Sequence, residues 1–361
     1  MTATIEPALL DAVARDVAAA APSVDTGAPA TVHFGALAAA GLLDQGVEDL
    51  LEGRPEARDV RASATTIAAL AEECLPTAFG LWAHRVVEGY LARAPRTDAN
   101  VAALAQLRAG DAVGATGMAQ ALKADAGVGE LGIEATPDGD GGWYLDGFVA
   151  WISNLVDGAV LVLPASVAGG SGGVDDGLVV WVRYGTQGLG PRHISGLLAL
   201  DATASGTLKL ERVHVPADQV VSTDLRGFVQ AVKPSFLVLQ SSFAAGLIRR
   251  SWHEIEQALD RSDNAVFGAE ARELGADVEA FLDRWQGLAA DVTGAPVRDF
   301  LQLRLDASHL AQRATRLELT LAGGRGYLAA NAANRRFREA AFLPVQSPSE
   351  GHLRWELSSL A

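Results

Sequence analysis

Apolar residues recur every three to four positions along the first third of the chain. Ile5, Leu9, Val13 and Val17 are each four residues apart, which places them on one face of a helix. The same period runs through residues 60–75 and 77–91, and Pro76 stands between them as a helix breaker. Residues 98–107 add a short helix. The pattern predicts an all-helical domain over residues 1–112.

The pattern changes over residues 113–222, where glycine is dense and apolar runs become short. Turn-forming sequences, such as the one at residues 138–142, separate these runs. The predicted strands cover residues 142–147, 159–163, 178–184 and 206–213. Several short strands separated by such turns favour a small β-barrel or sandwich. We therefore predict a central β-domain over residues 113–222.

Helical periodicity returns over residues 223–361. The predicted helices cover residues 236–260, 269–292 and 296–322, and a tail helix begins near Ser349. The glycine-rich sequence at residues 323–326 ends the third of them. The predicted fold class is α+β, in the order helical domain, β-domain and C-terminal helical bundle. This order is uncommon and narrows the fold more than composition does.

Composition and charge exclude several functional classes. The chain has 361 residues, of which 49% are hydrophobic, so it is globular. Its single cysteine, Cys74, rules out a disulfide framework. The net charge of −15 disfavours nucleic acid as a partner. The first twenty residues lack the features of a secretory signal, and no apolar run reaches the length of a membrane span. We expect a cytoplasmic protein without membrane contact.

Common catalytic motifs are absent from the sequence. No two histidines are three or four residues apart, as a helical zinc site requires, so no metal site is predicted. There is no Gly-x-Ser-x-Gly elbow and no Gly-x-Gly-x-x-Gly after a strand. The sequence therefore gives no motif for serine hydrolysis or for a Rossmann dinucleotide site.

Two groups of polar residues leave alternatives open. His84 follows an apolar helical run, so it either packs in the helix core or serves as an acid/base group facing a pocket. Glu350 and Glu356 lie on the tail helix, where carboxylates usually form a solvated face. The residues around Trp151 predict a strand in which this tryptophan is buried. Gly323 and Gly324 are typical of a helix terminus.

Four sequences in chain order resemble the acyl-CoA dehydrogenase superfamily. They are Gly114-Ala115-Thr116-Gly117-Met118, Trp143-x-Leu145-x-Gly147 followed by Trp151-Ile152-Ser153-Asn154, Val213-His214-Val215-Pro216, and Gly323-Gly324-Arg325-Gly326 followed by Arg338-Glu339-Ala340. The resemblance implies an N-terminal helical domain, a central β-barrel domain and a C-terminal four-helix bundle. It also implies FAD or FMN at a subunit interface of a homodimer or homotetramer.

The resemblance assigns flavin contacts to named positions. Trp151 and Ser153 correspond to the residues that meet the flavin ring and its N5 edge. The remaining cofactor-binding positions that it implies are Thr116, Met118, Phe267, Gly323, Gly324 and Ser349.

The sequence departs from the dehydrogenase pattern at the base that removes the substrate proton. The family glutamate lies nine residues after the conserved Arg, and nine residues after Arg338 stands Ser347. A serine hydroxyl is too weak a base unaided. A carboxylate that could serve as the base, Glu350, stands three residues further along the chain. Asn264 also replaces an arginine that contacts the flavin pyrophosphate, so FAD is expected to bind weakly or FMN to suffice.

These departures resemble the two-component flavin monooxygenases of the superfamily. Such enzymes take reduced flavin from a separate reductase and need no catalytic glutamate. Pro348-Ser349 is similar to the "P-T" sequence of these enzymes. His84 corresponds to a pocket base that some of them use. One alternative is an acyl-CoA dehydrogenase that uses Glu350 and an electron-transfer partner. Another is a non-catalytic subunit that completes the flavin site of a second chain.

Overall fold

The N-terminal zone is helical. A computed structural model describes residues 6–47, 51, 58–170 and 172–360, so the predicted stripe residue Ile5 lies outside the described residues. The helices are α1 (Pro7–Asp25), α2 (Phe34–Ala39), α3 (Arg61–Glu73), α4 (Leu75–Ala92) and α5 (Asp98–Ala109). The break predicted at Pro76 occurs two residues earlier. Helix α4 begins at Leu75, so Pro76 lies in its first turn. Proline is tolerated there because the N–H groups of the first turn have no partner within the helix.

The central zone forms one mixed sheet. After β1 (Gly114–Thr116) and helix α6 (Ala119–Asp125), its strands are β2 (Ile133–Pro137), β3 (Trp143–Ile152), β4 (Val160–Val167), β5 (Gly177–Arg183), β6 (Leu189–His193), β7 (Gly206–Val215) and β8 (Val220–Ser222). Their order is β6-β7-β3-β2-β4-β5-β8, with β1 parallel to β4. Within the described residues this hydrogen-bonded path runs from β6 to β8 without closing. The sheet has its own apolar core, so the predicted central β-domain is present.

Strands β4 and β5 divide their side chains between two cores. Val160 and Val162 of β4 face the helices, whereas Leu161 and Leu163 between them belong to the core of the β-domain. Successive residues of a strand point to opposite faces, so a strand buried on both faces is apolar throughout. This is why the sequence of β4 shows a continuous apolar run. The sheet lies directly against the helical part of the fold.

The C-terminal zone contains α7 (Leu225–Ala258), α8 (Gly268–Ala290), α9 (Val297–Ala322), α10 (Ala332–Ala340) and α11 (Glu350–Ser359). Helix α7 begins eleven residues before the predicted start, because the Asp224 side chain caps its first turn by accepting from the Gly227 N–H. Pro234 lies inside α7 without ending it. The sequence pattern did not predict α10. The predicted α+β fold with a terminal helical bundle is confirmed.

Helix α7 is the central element of the helical core. It packs against α3, α8 and α9, and buried residues of both helical zones form one continuous cluster. Among the described residues, α7 is the one helix long and apolar enough to cross a membrane, and 83% of its apolar stretch is buried inside the fold. Its hydrophobicity is thus used in the core. The predicted domain limits stay a prediction.

Candidate active site

A cavity of about 600 Å³ lies where the three zones meet. Helix α4 supplies Phe79 and Trp82, and α7 supplies Phe236. The end of β3 and a loop over residues 197–205 form the β-domain wall, and residues 338–347 form the opposite wall. Volumes of a few hundred to a thousand Å³ are typical of small-molecule and cofactor sites. The cavity is mostly apolar and large enough for a planar heterocycle.

Trp151 and Ser153 present an aromatic plate and a hydroxyl group to the cavity. They are two residues apart at the end of β3, and Ile152 between them also lines the cavity but is buried in the core of the β-domain. The Trp151 side chain is 55% exposed, which is unusual for a tryptophan in a strand. The structure therefore places it at the cavity wall and not in the buried position that composition suggests.

Asn154 fixes this strand end against its neighbours. Its side chain is fully buried, and its amide nitrogen donates to the Gly80 and Gly114 carbonyls, both at 2.9 Å. Its backbone has a φ of +60°, a conformation that asparagine tolerates better than most residues. One side chain thus joins α4, β1 and β3. Asn154 belongs to the Trp-Ile-Ser-Asn motif, but the motif by itself does not predict this role.

Three hydroxyl groups form a continuous row beside the Trp151 plate. Ser153 Oγ lies 2.7 Å from Ser205 Oγ, which lies 2.7 Å from Thr203 Oγ1. Thr203 Oγ1 in turn donates to the Leu200 carbonyl over 2.8 Å. Ser205 and Thr203 were not predicted as site residues. They lie about fifty residues from Ser153 in a loop whose position only the tertiary structure shows.

Thr116 lines the cavity, whereas Met118 does not. The Met118 N–H donates to Thr116 Oγ1 at 3.4 Å, and the Met118 side chain is buried at 2% exposure. Gly117 between them lies so close to β4 that a Cβ there would meet the Leu163 side chain at 2.7 Å. Of the first motif, the threonine alone offers a polar group to a ligand.

His84 is fully buried and does not line the cavity. Its Nδ1 accepts the Gly114 N–H at 3.1 Å, and its Nε2 lies 3.3 Å from a carboxylate oxygen of Glu88, itself buried. Both ring nitrogens therefore face protein groups. Of the two alternatives that the sequence left open, this arrangement favours packing. The predicted pocket-facing position of His84 is not observed, because its ring is directed towards β1.

Ser347 lies in the cavity wall, at the end of a segment held by a buried arginine. Arg304 is fully buried, and its guanidinium donates to the Leu343 carbonyl and to Oε1 of Gln346 and Gln240. Gln240 also donates to the Ser347 carbonyl at 2.8 Å. Burial lowers the pKa of Arg304 to about 10, so it stays protonated at neutral pH. No sequence motif predicts this role of Arg304.

Glu350 and Ser349 lie outside the cavity lining. Glu350 pairs with His309 at 3.1 Å and with Arg354 at 2.7 Å, and the hydrogen bond from His309 lowers the pKa of its carboxyl group. Ser349 is the N-cap of α11 and accepts the His352 N–H. The structure thus brings Ser347 to the cavity but directs Glu350 to other partners.

The predicted pyrophosphate region lies elsewhere in the bundle. Asn264, three residues before Phe267, donates from its side chain to the carbonyls of Ala258 and Leu321. This joins the α7–α8 turn to the end of α9, beside Gly323. Gly323 has a φ of +60° and a ψ of −150°, which requires glycine, and Gly324 has open space around it. Phe267, Gly323 and Gly324 do not line the cavity.

The electrostatic character of the cavity differs from that of the whole protein. Among the described residues, no aspartate or glutamate lines it, and Lys123 and Arg338 are its charged groups. Arg338 is neutralised by Asp25, with nitrogen–oxygen distances of 2.9 and 2.6 Å. Within the same residues, no group of three His, Cys, Asp or Glu side chains is placed to hold a metal ion.

The fold of this chain is similar to that of several solved structures. The butyryl-CoA dehydrogenase of Megasphaera elsdenii superposes with a TM-score of 0.84 at 18% identity, covering 99% of this chain and 97% of that one. The prolyl acyl carrier protein oxidase AnaB gives 0.83 at 16% identity, covering 97% and 98%. KijD3, solved with FMN and a dTDP-linked amino sugar, gives 0.73 at 22% identity, covering 98% and 93%.

These similarities establish that the chain has the acyl-CoA dehydrogenase fold. No protein-family model matches the sequence, and no curated protein is significantly similar to it.

Proposed function

We propose that this protein is a flavin-dependent monooxygenase that takes reduced flavin from a separate reductase. The observation that carries the proposal is the composition of the cavity wall. Ser347, which the sequence resemblance aligns with the family glutamate, lies in this wall, and no carboxylate is present among the described lining residues. A dehydrogenase needs a poised base for the substrate α-proton, and the described lining residues include no aspartate, glutamate or histidine for that role.

The cavity fits a flavin ring. The exposed face of Trp151 offers a stacking surface, and the hydroxyl groups of Ser153 and Thr116 offer hydrogen bonds at its edge. A reduced flavin held here would supply two electrons to O2, so that one oxygen atom would enter the substrate and the other would leave as water. KijD3, which shares the fold, was solved with FMN. The role of Asn264 as a backbone clamp also supports FMN over FAD, because it offers no charge for a pyrophosphate.

The substrate is a small molecule that shares the apolar cavity with the flavin. Phe79, Trp82 and Phe236 form the wall contributed by the helices, and they offer apolar contacts to such a substrate. The acyl-CoA dehydrogenase alternative would require Glu350 to leave His309 and Arg354 and to enter the cavity. The first experiment is an absorption spectrum of the protein with FMN or FAD, followed by oxygen uptake with a flavin reductase.

The outcomes of that experiment separate the candidate functions. Tight binding of oxidised flavin with acyl-CoA-dependent reduction of an electron acceptor would support the dehydrogenase. Colourless protein that binds reduced flavin and consumes O2 with substrate supports the monooxygenase. Flavin binding only in the presence of a second chain would identify a partner subunit.

The Glu350→Gln variant tests the identity of the base. We expect its turnover to stay within about twofold of the wild-type value, because Glu350 bonds to His309 and Arg354 outside the cavity. A general base contributes about 10²–10⁴-fold to a rate. A loss of that size would favour the dehydrogenase over the monooxygenase. The measurement is the initial rate with saturating flavin.

The Trp151→Ala variant tests the stacking surface. We expect FMN to bind about tenfold to a hundredfold more weakly, since stacking on an aromatic side chain contributes about 1–3 kcal/mol. Trp355 is the matched control, because it is 53% exposed but lies on α11 outside the cavity lining. Trp355→Ala should bind FMN like the wild type. Equal affinities for all three proteins, measured by fluorescence titration, would exclude Trp151 as a flavin contact.

We also propose that a second copy of the chain covers the cavity mouth. Trp151, Leu198 and Val345 line the cavity and are 55%, 66% and 72% exposed, so the rim is apolar. Exposed apolar rims of this kind mark interaction surfaces. A homodimer or homotetramer would complete the enclosure, and light scattering of the purified protein measures this directly.

A further inference from the structure

We infer that Thr203 fixes the direction of hydrogen bonding along the Ser153–Ser205–Thr203 row, so that Ser153 offers the cavity an acceptor and selects the N–H of reduced flavin. This inference rests on the proposed function. It adds a positioning residue, Thr203, and a preference for one redox state of the ligand.

The direction follows from counting protons. A carbonyl oxygen only accepts, so Thr203 must use its one hydroxyl proton on Leu200. The 2.7 Å contact between Thr203 and Ser205 is then a hydrogen bond in which Ser205 donates. With its proton used, Ser205 can only accept from Ser153, also at 2.7 Å. Each of the three protons is committed within the row.

The row is held in place by its surroundings. Thr203 and Ser205 are 1% and 7% exposed, so water does not compete strongly for their protons. The backbone of the same loop is tied to the end of β3, where the Asn154 N–H donates to the Thr203 carbonyl at 2.9 Å. This bond holds the loop against the strand end. All three residues line the cavity, and Ser153, which is half-buried, is the most exposed of them.

The consequence concerns the ligand atom that meets Ser153. Because its proton points to Ser205, Ser153 has only lone pairs for the ligand. The N5 atom of oxidised flavin also carries a lone pair, whereas reduction adds a hydrogen to N5. A flavin stacked on Trp151 with N5 beside Ser153 thus gains a hydrogen bond only when it is reduced. This suits a protein that receives reduced flavin and releases oxidised flavin.

The Thr203→Val variant reverses the direction with little change of shape. Ser205 loses its acceptor, and Ser153 is the hydroxyl that remains beside it at 2.7 Å. Ser205 then donates to Ser153, which becomes free to donate to N5. We expect Thr203→Val to bind oxidised FMN about tenfold more tightly than the wild type, as one net hydrogen bond predicts. Thr203→Ser keeps the hydroxyl and should bind like the wild type.

A flavin analogue isolates the effect at N5. In 5-deaza-FMN a C–H group replaces N5, so no acceptor is present there. We expect Thr203→Val to leave the dissociation constant of oxidised 5-deaza-FMN unchanged. If Thr203→Val fails to fold, Ser205→Ala replaces it, because it also frees the Ser153 proton.

The titrations test the role of Thr203 separately from the proposed flavin-dependent function. Tighter binding of FMN, but not of 5-deaza-FMN, by Thr203→Val supports the inference. Unchanged FMN binding, or an equal change for both flavins, overturns the role of Thr203 and leaves the proposed function standing. A wild-type protein that binds FMN in neither redox state overturns the proposed function itself and the inference with it.

Discussion

Replacement of Arg336 by leucine should lower the free energy of unfolding by about 3–5 kcal/mol. Arg336 on α10 and Glu318 on α9 form a two-pronged ion pair, with the Arg336 Nε donating to Glu318 over 3.0 Å and Nη2 donating to the other carboxylate oxygen. Both side chains are 4% exposed. The variant leaves the buried Glu318 carboxylate without its ion-pair partner, and this unpaired buried charge destabilises the folded state.

Two further variants test this explanation by urea denaturation. The double variant Arg336→Leu with Glu318→Leu should recover much of the loss, because no unpaired charge remains buried. The exposed pair of Arg313 with Asp277, at 2.6 Å and nearly half exposed on both sides, is the matched control. Asp277→Ala should change stability by less than about 1 kcal/mol. Similar losses from the buried and exposed variants would contradict the role of burial.

Glu339 should make the protein less stable as the pH rises towards neutrality. It is 1% exposed, and burial raises the pKa of its carboxyl group to about 7, against the opposing effect of Arg335 and Arg336. The folded pKa lies above the unfolded one, so the stabilising contribution is complete below about pH 4.5 and is lost as pH rises through 7. The shift corresponds to about 3 kcal/mol.

The Glu339→Gln variant removes this titration while keeping the side-chain size. We expect the free energy of unfolding of the wild type, measured from pH 5 to 8, to fall more steeply than that of the variant. At pH 8 the variant should be the more stable protein. Parallel curves for the two proteins would show that Glu339 does not titrate in this range.

Arg336 and Glu339 both lie on α10, and this helix forms part of the cavity wall. Arg335 donates to the Glu73 carbonyl at the end of α3 over 2.7 Å, and Glu339 lies 3.6 Å from Arg335. The helix that carries them also carries Arg338 of the cavity wall. We therefore expect weakened α9–α10 contacts to lower ligand affinity as well as stability.

The sequence determined the order of the elements and part of the site. Period-four stripes predicted the helices, and short apolar runs between turn sequences predicted the strands. The resemblance of the Trp-Ile-Ser-Asn motif placed Trp151 and Ser153, and counting from Arg338 placed Ser347; all three line the cavity. These features are local, since each depends on residues within a few turns or along one strand.

The tertiary structure alone decided which side chains meet. The Thr203 row, the Asn154 clamp and the Arg304 support each join residues about 40 to 75 positions apart, and no local pattern encodes such distances. The direction of His84 and the partners of Glu350 were undecided for the same reason. Periodicity specifies which face of an element is buried, whereas the packing of one element on another specifies what that face touches.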